Sequence, residues 1–389
     1  MEELFETACS NSDIRGAVLV AASADDTFQY QQAFGRASSE SDLTLESTFW
    51  IASCSKLVTS IAALQCVEKG LVKLDDDVTS ILPEIKDIDI LRGFDESLGR
   101  PILGKCQNTV TLRGLLTHST GLGYAFSNPL LIRWRAYQNK STALPASEFE
   151  KNYFMPLLHE PGESWVYGTG IEWAGILIER IVGTNLQSYL QQHVWDPVGV
   201  KDMTFHLEQR PDIQARLSCM SVRLSSSKID WTTERVVPDP IHHELGGVGI
   251  YSTALDYLKI MKSILANDGR LLQGQTVDEM FRPQLTSNSA KALCDLVAAK
   301  ETSTGFGVPQ CVSVDHGLAG MLILEDIQTG RKSGSMSWGG YPNLKWWIDR
   351  KTGLCGLYAS QLIPPGDAMS VKMYEIFQAE MYKRFSMRQ

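Results

Sequence analysis

The sequence predicts an α+β fold, an α/β sandwich whose antiparallel sheet is flanked by helices and built from both ends of the chain. Residues 16–35 are typical of a hairpin, with two apolar runs around a polar turn. The last third alternates short apolar runs with turns, whereas residues 71–240 are mostly helical and loop-like. We therefore expect a sheet domain of residues 1–70 and 241–389, a mostly helical inserted domain of residues 71–240, and an active site at their interface.

The first long helix is predicted from Cys54 to about Lys69, where Gly70 gives a stop signal. Its apolar residues recur on one face: Leu57, Ile61, Leu64 and Val67. Ser53 and Lys56 are three residues apart at its start and so share a face. A serine hydroxyl becomes a nucleophile when a base takes its proton, and a desolvated lysine can be that base. Taken alone, the S-x-x-K spacing more often marks an ordinary solvated helix start.

The remaining elements are predicted from periodicity and turn signals. Further helices are expected at Leu112 to Leu116, Glu172 to Val182, Leu186 to His193, Ala254 to about Asn267 and Ala368 to Arg384. Strands are expected at Gly320 to Glu325, Gly334 to Trp338, Leu344 to Ile348 and Leu354 to Gln361. These strands supply the C-terminal half of the expected sheet.

Two later segments have the residues that a serine nucleophile needs nearby. Tyr167 lies at a loop-to-helix junction, where its hydroxyl can enter a cleft, although core filling is the commoner role of a tyrosine. Trp338-Gly339-Gly340 ends a strand-like run. Glycines there let a substrate approach the backbone, whose N–H groups can donate to an oxyanion. A simple bulge or turn is the alternative interpretation.

In this order, the three segments resemble the serine β-lactamase and penicillin-binding-protein superfamily, which has S-x-x-K, then Y-x-N, then K-T-G. Within it, the chain is most similar to the class C-like esterases and transesterases, and closest to the fungal lovastatin-type polyketide acyltransferases. The similarity runs from about Phe5 to Tyr382. Supporting segments are Ala62 to Leu71, Leu115 to Leu122, Asp202 to Phe205, Gly246 to Gly249 and Gly339 to Asn343.

The resemblance implies a role for each matching residue. Ser53 would be the acylated nucleophile, Lys56 its neutral-amine base, and Tyr167 the proton shuttle to the leaving or attacking group. The backbone N–H groups of Ser53 and Tyr341 would form the oxyanion hole. Tyr124 would line the acyl or acceptor pocket. Neither a cofactor nor a metal ion is implied.

Two departures from the family pattern narrow the expected substrate. Trp338-Gly339-Gly340 stands where K-T-G is expected, so these three residues would bind substrate through an apolar wall instead of a lysine. Thr169 replaces the asparagine of Y-x-N, an amide that contacts β-lactam side chains. We therefore expect little β-lactam hydrolysis and favour an apolar acyl ester or thioester.

Several other residues are tempting but are given structural roles. The literal Lys351-Thr352-Gly353 lies between two strand runs and is predicted to be a hairpin turn. Trp50 is expected in the core. His118, His242 and His243 are expected to be structural, because Lys56 and Tyr167 already fill the acid–base roles.

Composition limits the possible partners and compartment. Apolar residues make up 43% and charged residues 21%, the net charge is −9, and no basic patch of useful length occurs, so neither nucleic acid nor a membrane surface is an expected partner. The acidic N-terminus lacks a signal-peptide pattern, and no run is long enough to span a membrane. The eight cysteines are dispersed without the spacing of a zinc site or disulfide scaffold. A cytoplasmic protein is expected.

The predicted function is a serine acyltransferase that moves an acyl group from a thioester to a hydroxyl of a secondary metabolite. The donor would be a coenzyme A, carrier-protein or small-thiol thioester. The alternative is an esterase or thioesterase that uses the same acyl-enzyme with water, for example in polyketide product release. A catalytically silent binding protein is a third reading, which would require a lost nucleophile or base. No G-x-S-x-G elbow or H-E-x-x-H motif points to another hydrolase class.

Overall fold

The structure is a computed structural model, and it describes residues 1–141, 153–225, 228–233, 236–237, 240–299, 307–309 and 312–388. The strands are β1 Gly16–Ser23, β2 Gln29–Gly35, β3 Thr48–Trp50, β4 Asp89–Phe94, β5 Pro101–Lys105, β6 Met203–Thr204, β7 Met220–Ser225, β8 Lys228–Thr232, β9 Tyr251–Thr253, β10 Val314–His316, β11 Met321–Ile323, β12 Met336–Gly340, β13 Leu344–Asp349, β14 Leu354–Ala359 and β15 Leu362–Ile363.

The helices alternate with these strands. They are α1 Glu2–Ser10, α2 Ser55–Glu68, α3 Leu112–Thr117, α4 Pro129–Tyr137, α5 Gly170–Val182, α6 Leu186–Leu190, α7 Asp196–Val198, α8 Pro211–Gln214, α9 Ala254–Ala266, α10 Gly274–Met280, α11 Ser287–Ala298 and α12 Ala368–Ser386. A π-helical segment, Gln191–Trp195, joins α6 to α7. Short 3-10 turns occupy Ala52–Cys54, Val78–Ser80, Pro83–Ile85 and Leu207–Gln209. Within the described ranges, no helix has both the length and the apolar character needed to cross a membrane.

The central sheet confirms the predicted fold class. Its seven strands follow the order β10-β11-β12-β13-β14-β1-β2, and every neighbouring pair is antiparallel. The N-terminal hairpin, β1 and β2, therefore completes a sheet that the C-terminal third begins. The two ends of the chain meet where β1 pairs with β14, with Val20 opposite Leu357.

Helices cover both faces of this sheet, which is why β1 is buried along its whole length. Successive side chains of a strand point to opposite faces. Val18 and Val20 join the core that contains α2 and α9, whereas Ala17 and Leu19 join a second core with α1 and α12. The strand is thus sandwiched, and the face that carries α2 is the one on which the candidate nucleophile lies.

The segment predicted to be mostly helical also contributes strands. β4 pairs with β5, and β7 pairs with β8. Two of its strands pair outside the segment, since β6 lies beside β9 and β7 beside β15. Strands of two to six residues have too few alternating positions to stand out in the sequence. The division at residues 71–240 stays a prediction.

Candidate active site

Ser53 lies in the tight 3-10 turn between β3 and α2. The turn is strained, because Ala52 has a φ of +46°, in the left-handed region that residues with a side chain rarely adopt. Hydrogen bonds hold it in place: Ser55 Oγ donates to the Ala52 carbonyl at 2.6 Å, and Tyr257 Oη donates to the Cys54 carbonyl at 2.9 Å. Ser53 is therefore presented by a rigid, buried support at the start of α2.

Lys56 lies one turn further on and is almost completely buried, with 3% of its surface exposed. Its Nζ is 3.2 Å from Ser53 Oγ, 3.0 Å from Tyr124 Oη and 2.8 Å from the Gly247 carbonyl. A buried amine with this many oxygen neighbours is held in one position. Lys56 is thus fixed within hydrogen-bond distance of the candidate nucleophile.

Tyr167 reaches the same hydroxyl from the loop before α5. Its Oη donates to Ser53 Oγ at 2.6 Å. The loop packs so tightly that a Cβ at Gly168 would lie 1.8 Å from the Leu122 carbonyl oxygen, and one at Gly170 would lie 2.3 Å from that of Leu115. The two glycines explain how Tyr167 comes this close. The structure therefore brings together the three residues that the sequence predicts as catalytic.

Tyr124 is almost completely buried beside Lys56. Its side chain is 2% exposed, and its hydroxyl lies between Lys56 Nζ and Glu172 Oε1, to which it donates at 2.5 Å. The reason is that α5 turns Glu172 inward, where the carboxylate needs a donor. Tyr124 therefore contacts Lys56 directly, and its place in the lining of an acyl or acceptor pocket stays a prediction.

Glu172 is a further candidate residue of this site, which the sequence does not reveal. It is 1% exposed, and burial raises its pKa. A Cβ at Gly247 would lie 2.5 Å from Glu172 Oε1, so only glycine leaves room for the carboxylate here. The run from Gly246 to Gly249 was the available signal, because it marks a backbone that passes close to another group.

The third element, the end of β12, packs against the nucleophile turn. A Cβ at Gly340 would lie 2.5 Å from the Ile51 carbonyl oxygen and 3.4 Å from Cys54 Sγ. Tyr341 follows, and its ring centroid is 6.3 Å from that of Trp50. Gly340 therefore permits the close approach that an oxyanion hole formed by Ser53 and Tyr341 would need. Gly339 is buried in the same strand, opposite Lys345.

Trp338 and two histidines form a packed aromatic cluster behind Tyr167. Trp338 is 2% exposed, and its ring centroid is 5.3 Å from that of Tyr167 and 6.0 Å from that of His118, on which it stacks. His316 is 5.4 Å from Trp338 by the same measure. Burial holds the pKa of His118 well below its usual range and lowers that of His316 to about 4. Trp338 therefore packs against Tyr167, and contact of its indole with substrate stays a prediction.

Lys351, His242 and Trp50, to which the sequence assigns structural roles, make no described contact with Ser53. Lys351 is exposed in the turn between β13 and β14 and donates to Ser333 Oγ at 2.7 Å. His242 is exposed to solvent. Trp50 is 5% exposed, and its indole N–H donates to the Val248 carbonyl at 2.7 Å. Lys351 thus lies in a turn and Trp50 in the core, as the sequence predicts.

Comparison with known proteins identifies the family. The family model described as beta-lactamase matches residues 1–380. The chain belongs to the beta-lactamase family. It is 35% identical to monacolin J acid methylbutanoyltransferase of Aspergillus terreus, with 99% of this chain and 95% of that protein covered. It is 36% identical to lovastatin esterase of Penicillium rubens, with 99% and 98% covered.

A solved structure shows the same fold. Unliganded simvastatin synthase from Aspergillus terreus superimposes with a TM-score of 0.89 at 33% identity, covering 99% of this chain and 98% of that one. The predicted superfamily and its transesterase branch are thereby confirmed. The relatives are acyltransferases and an esterase, so this member of the beta-lactamase family is an enzyme of that kind, with an acyl donor and an alcohol acceptor as substrates.

Proposed function

We propose that this beta-lactamase family member is a serine acyltransferase that moves an apolar acyl group from a thioester to a small-molecule alcohol through a Ser53 acyl-enzyme. One observation carries the proposal: Ser53 Oγ is within hydrogen-bond distance of both Lys56 Nζ and Tyr167 Oη. A nucleophile with a base on one side and a proton donor on the other is the arrangement that acyl transfer requires.

The first half-reaction forms the acyl-enzyme. Lys56, as the neutral amine, takes the Ser53 proton while Oγ attacks the thioester carbonyl. The backbone N–H groups of Ser53 and Tyr341 stabilise the negative charge that develops on the carbonyl oxygen. The carbon–sulfur bond then breaks, and the thiol leaves with a proton delivered through Tyr167.

The second half-reaction passes the acyl group to the alcohol. Tyr167, deprotonated in the first half, takes the proton of the attacking hydroxyl, and the new ester bond forms as the Ser53 ester breaks. The proton held by Lys56 returns to Ser53 Oγ, and the enzyme is regenerated. Since one hydrogen-bonded group serves both halves, the same geometry works for the leaving thiol and the entering alcohol.

The substrates are inferred from the relatives and from the missing third-element lysine. Two relatives are named methylbutanoyltransferases, which supports a short branched acyl group. We propose a coenzyme A, carrier-protein or small-thiol thioester as the donor and a hydroxylated secondary metabolite as the acceptor, in the cytoplasm. Trp338 in place of a lysine removes the partner of a substrate carboxylate, so turnover of a chromogenic cephalosporin should be slow or absent.

Hydrolysis is the second candidate function, and the 36% identity to a lovastatin esterase favours it. Water would then replace the alcohol in the second half-reaction. Access of water to the acyl-enzyme decides between the two outcomes.

Intact-mass measurement tests both functions. The protein is incubated with the N-acetylcysteamine thioester of 2-methylbutanoic acid, and one acyl adduct is expected. Ser53→Ala should abolish the adduct, whereas Ser60→Ala, which removes another buried hydroxyl from α2, should retain it. Absence of the adduct in the wild-type protein would contradict both functions. Its lifetime with and without an added alcohol separates transfer from hydrolysis.

A further inference from the structure

A cavity of about 330 Å³ lies between α12 and the central sheet. Val371, Tyr374 and Gln378 of α12 line one side, and Lys345 of β13 lines the other. Lys345 and Trp347 are two residues apart on β13, so their side chains share a face of the sheet, and Trp347 packs in the core that contains α1 and α12. The cavity is therefore on the face opposite α2, and it has the size of a ligand pocket, roughly 300–1,000 Å³.

Lys345 brings a buried positive charge to this cavity. It is 1% exposed, and burial lowers its pKa to about 8, so the ammonium form still prevails at neutral pH. Within the described part of the chain, Nζ has no hydrogen bond and no ion pair, yet it is not sealed off from the cavity that the lysine lines. Because a buried cation costs free energy unless a counter-charge or acceptors lie beside it, Lys345 marks a place for an anionic ligand.

Among the described residues, no acidic group pairs with Lys345. Glu375 and Asp367 act on its charge from beyond ion-pair distance. Asp367 is already paired with Arg223, and Glu375 is exposed at the edge of the cavity. Burial raises the pKa of Cys54, the third titratable neighbour, and so keeps it a neutral thiol. The charge of Lys345 therefore stays uncompensated.

The hydroxyl of Tyr374 is a second donor for an anion. Its Oη accepts from Gln378 Nε2 at 2.8 Å, and Gln378 Oε1 in turn accepts from Thr329 Oγ1 at 2.6 Å. The guanidinium of Arg331, which can only donate, also lies beside this hydroxyl. With two donors directed at its oxygen, the hydroxyl hydrogen of Tyr374 has no acceptor in the described part of the chain.

The two donors face the same space. A Cβ at Gly307 would lie 3.5 Å from Tyr374 Oη and 3.9 Å from Lys345 Cβ. The remaining lining is mainly apolar and includes Val308, Pro309, Ile327 and Val371. The cavity therefore combines a polar end, which has two donors, with walls against which a hydrocarbon chain can be buried.

We propose that this cavity binds a small apolar carboxylic acid in its ionised form, with one carboxylate oxygen accepting from Lys345 Nζ and the other from Tyr374 Oη. A carboxylate only accepts, so it matches the two donors, and its chain is buried against the apolar lining. A phosphate group would bring up to twice the charge to a single lysine. The inference goes beyond the proposed acyl transfer, since the described lining contains no residue of the Ser53 site and Lys345 takes part in no step of the transfer.

Equilibrium dialysis of the wild-type protein tests the inference. Octanoate should bind, whereas octanamide, which has the same chain without the charge, should bind about 10- to 100-fold more weakly, as a hydrogen bond to a charged group implies. Octyl phosphate should bind no more tightly than octanoate. Equal affinities for octanoate and octanamide would overturn the inference, and tighter binding of octyl phosphate would overturn the choice of a carboxylate.

Photolabelling separates this cavity from the Ser53 site, which would also hold an acyl chain. An octanoate with a diazirine near its terminal carbon is irradiated on the protein, and the labelled peptides are identified by mass spectrometry. Label is expected in α12 between Val371 and Gln378, and excess octanoate should prevent it better than octanamide does. Label confined to peptides around Ser53 would place the binding in the acyl-transfer site and overturn the inference.

Two lysine variants test the role of the charge. Lys345→Met should weaken octanoate binding by about 10- to 100-fold, because methionine fills a similar volume without the charge. Lys332→Met is the matched control and should keep the wild-type affinity, since Lys332 is exposed, pairs with Asp326 and does not line the cavity. Glu375→Gln should strengthen binding by about 2- to 5-fold, because it removes a negative charge from the edge of the cavity. Equal losses in both lysine variants would show an effect of net charge alone and contradict the assignment.

The pH dependence of wild-type binding gives a readout that needs no variant. Octanoate is ionised above about pH 6, and Lys345, with its pKa of about 8, loses its charge above that value. The affinity for octanoate should therefore be constant between about pH 6 and 7 and fall as the pH rises through about 8, whereas that for octanamide should not change. A constant affinity for octanoate across this range would overturn the inference, even if Lys345→Met failed to fold.

Discussion

Two groups of buried side chains flank Ser53 and Tyr167, a polar wall and an aromatic wall, and they differ in their hydrogen bonding and charge. The polar wall is a buried chain of hydrogen bonds that ends at Ser53, and it consists of Lys56, Tyr124 and Glu172. The aromatic wall consists of His118, His316 and Trp338 and is just as buried. Burial lowers the pKa of both histidines and so favours their neutral form. Tyr167 stands between them, with ring centroids 5.2 Å from Tyr124 and 5.3 Å from Trp338.

This difference indicates which substitutions should change the rate of acylation and which should change mainly the stability of the fold. In the proposed mechanism, the proton of Ser53 moves to Lys56 in the polar wall, where a change of charge alters the energy of the transition state directly. The aromatic wall positions Tyr167 by packing, so changes there should act mainly on stability. The predictions below test that separation, from the largest expected effect to the smallest.

Lys56→Met should have the largest effect. Methionine keeps the length and burial but removes the base, and general-base catalysis contributes about 10²- to 10⁴-fold, so acylation should fall by about a thousandfold. The rate of adduct formation with the 2-methylbutanoyl thioester, read by intact mass, measures it. Lys345→Met is the matched control: Lys345 is 1% exposed on β13, and burial lowers its pKa to about 8. Near-wild-type acylation by Lys56→Met would assign the base elsewhere.

Glu172→Gln should lower acylation by about tenfold. The amide oxygen can still accept from Tyr124, but a hydrogen bond to a charged group is stronger than a neutral one by about 1 kcal/mol. The polar wall therefore keeps its shape, and residue 172 can no longer carry a negative charge. Glu179→Gln on the same helix is the control, because burial also raises the pKa of Glu179, to about 7, yet its carboxylate accepts from the Leu186 backbone. Equal rate losses in both variants would show a general effect of α5.

The same variant has a signature in stability. The folded-state pKa of Glu172 is raised above its ordinary 4.5, so its contribution to stability is fully present below that pH and is lost as the pH rises through the folded-state value. In Glu172→Gln, the free energy of unfolding should therefore fall less steeply as the pH rises above 4.5. Urea unfolding across that range measures the slope.

These residues also show how far the sequence can predict the site. Ser53 and Lys56 are recognisable because their contact is local, three residues along one helix face. Glu172 cannot be recognised in this way, because its contact with Tyr124 joins residues that are 48 positions apart. An acidic residue in the first turn of a helix is also ordinarily explained by the helix dipole. The burial of Tyr124 could not be predicted for the same reason, since it depends on contact with α5.

The fold divides in the same way. The sheet strands and the long helices follow from periodicity, and the predicted helices at 112–116, 172–182 and 254–267 are confirmed. The short strands β6, β7 and β15 were missed, because their pairing is set by partners far along the chain. Local sequence patterns thus predict which helices and long strands form, whereas long-range contacts decide which short strands form and which strands they pair with.

The aromatic wall should influence how the free energy of unfolding depends on pH in the acid range. The pKa of His316 is lowered from 6.5 to about 4, so its contribution is present above pH 6.5 and is lost as the pH falls through about 4. That shift corresponds to roughly 3 kcal/mol for this buried ring. His316→Phe should flatten the loss of unfolding free energy between these pH values, measured by urea unfolding. Acylation at pH 7 should change by less than about threefold, because packing is retained.

His206 provides a contrast of opposite sign. Its hydrogen bond to Glu244 raises its pKa, so its contribution is present below pH 6.5 and is lost as the pH rises through the folded-state value. Histidine resonances followed by NMR should therefore show His206 titrating above the ordinary value and His316 well below it. A His316 that titrates near 6.5 would mean that the aromatic wall carries charge.

The smallest effect is expected for Lys351, although Lys351-Thr352-Gly353 matches the family's third motif letter by letter. Lys351 is exposed, and its one described hydrogen bond goes to Ser333, so Lys351→Ala should leave acylation unchanged and alter stability by less than about 0.5 kcal/mol. Gly340→Ala is the informative counterpart, because its Cβ would lie 2.5 Å from the Ile51 carbonyl and would push β12 away from the nucleophile turn. Adduct formation should slow in Gly340→Ala alone. The reverse result would move the third element to the β13–β14 turn, since contact with the nucleophile turn, and not the tripeptide, is what defines that element.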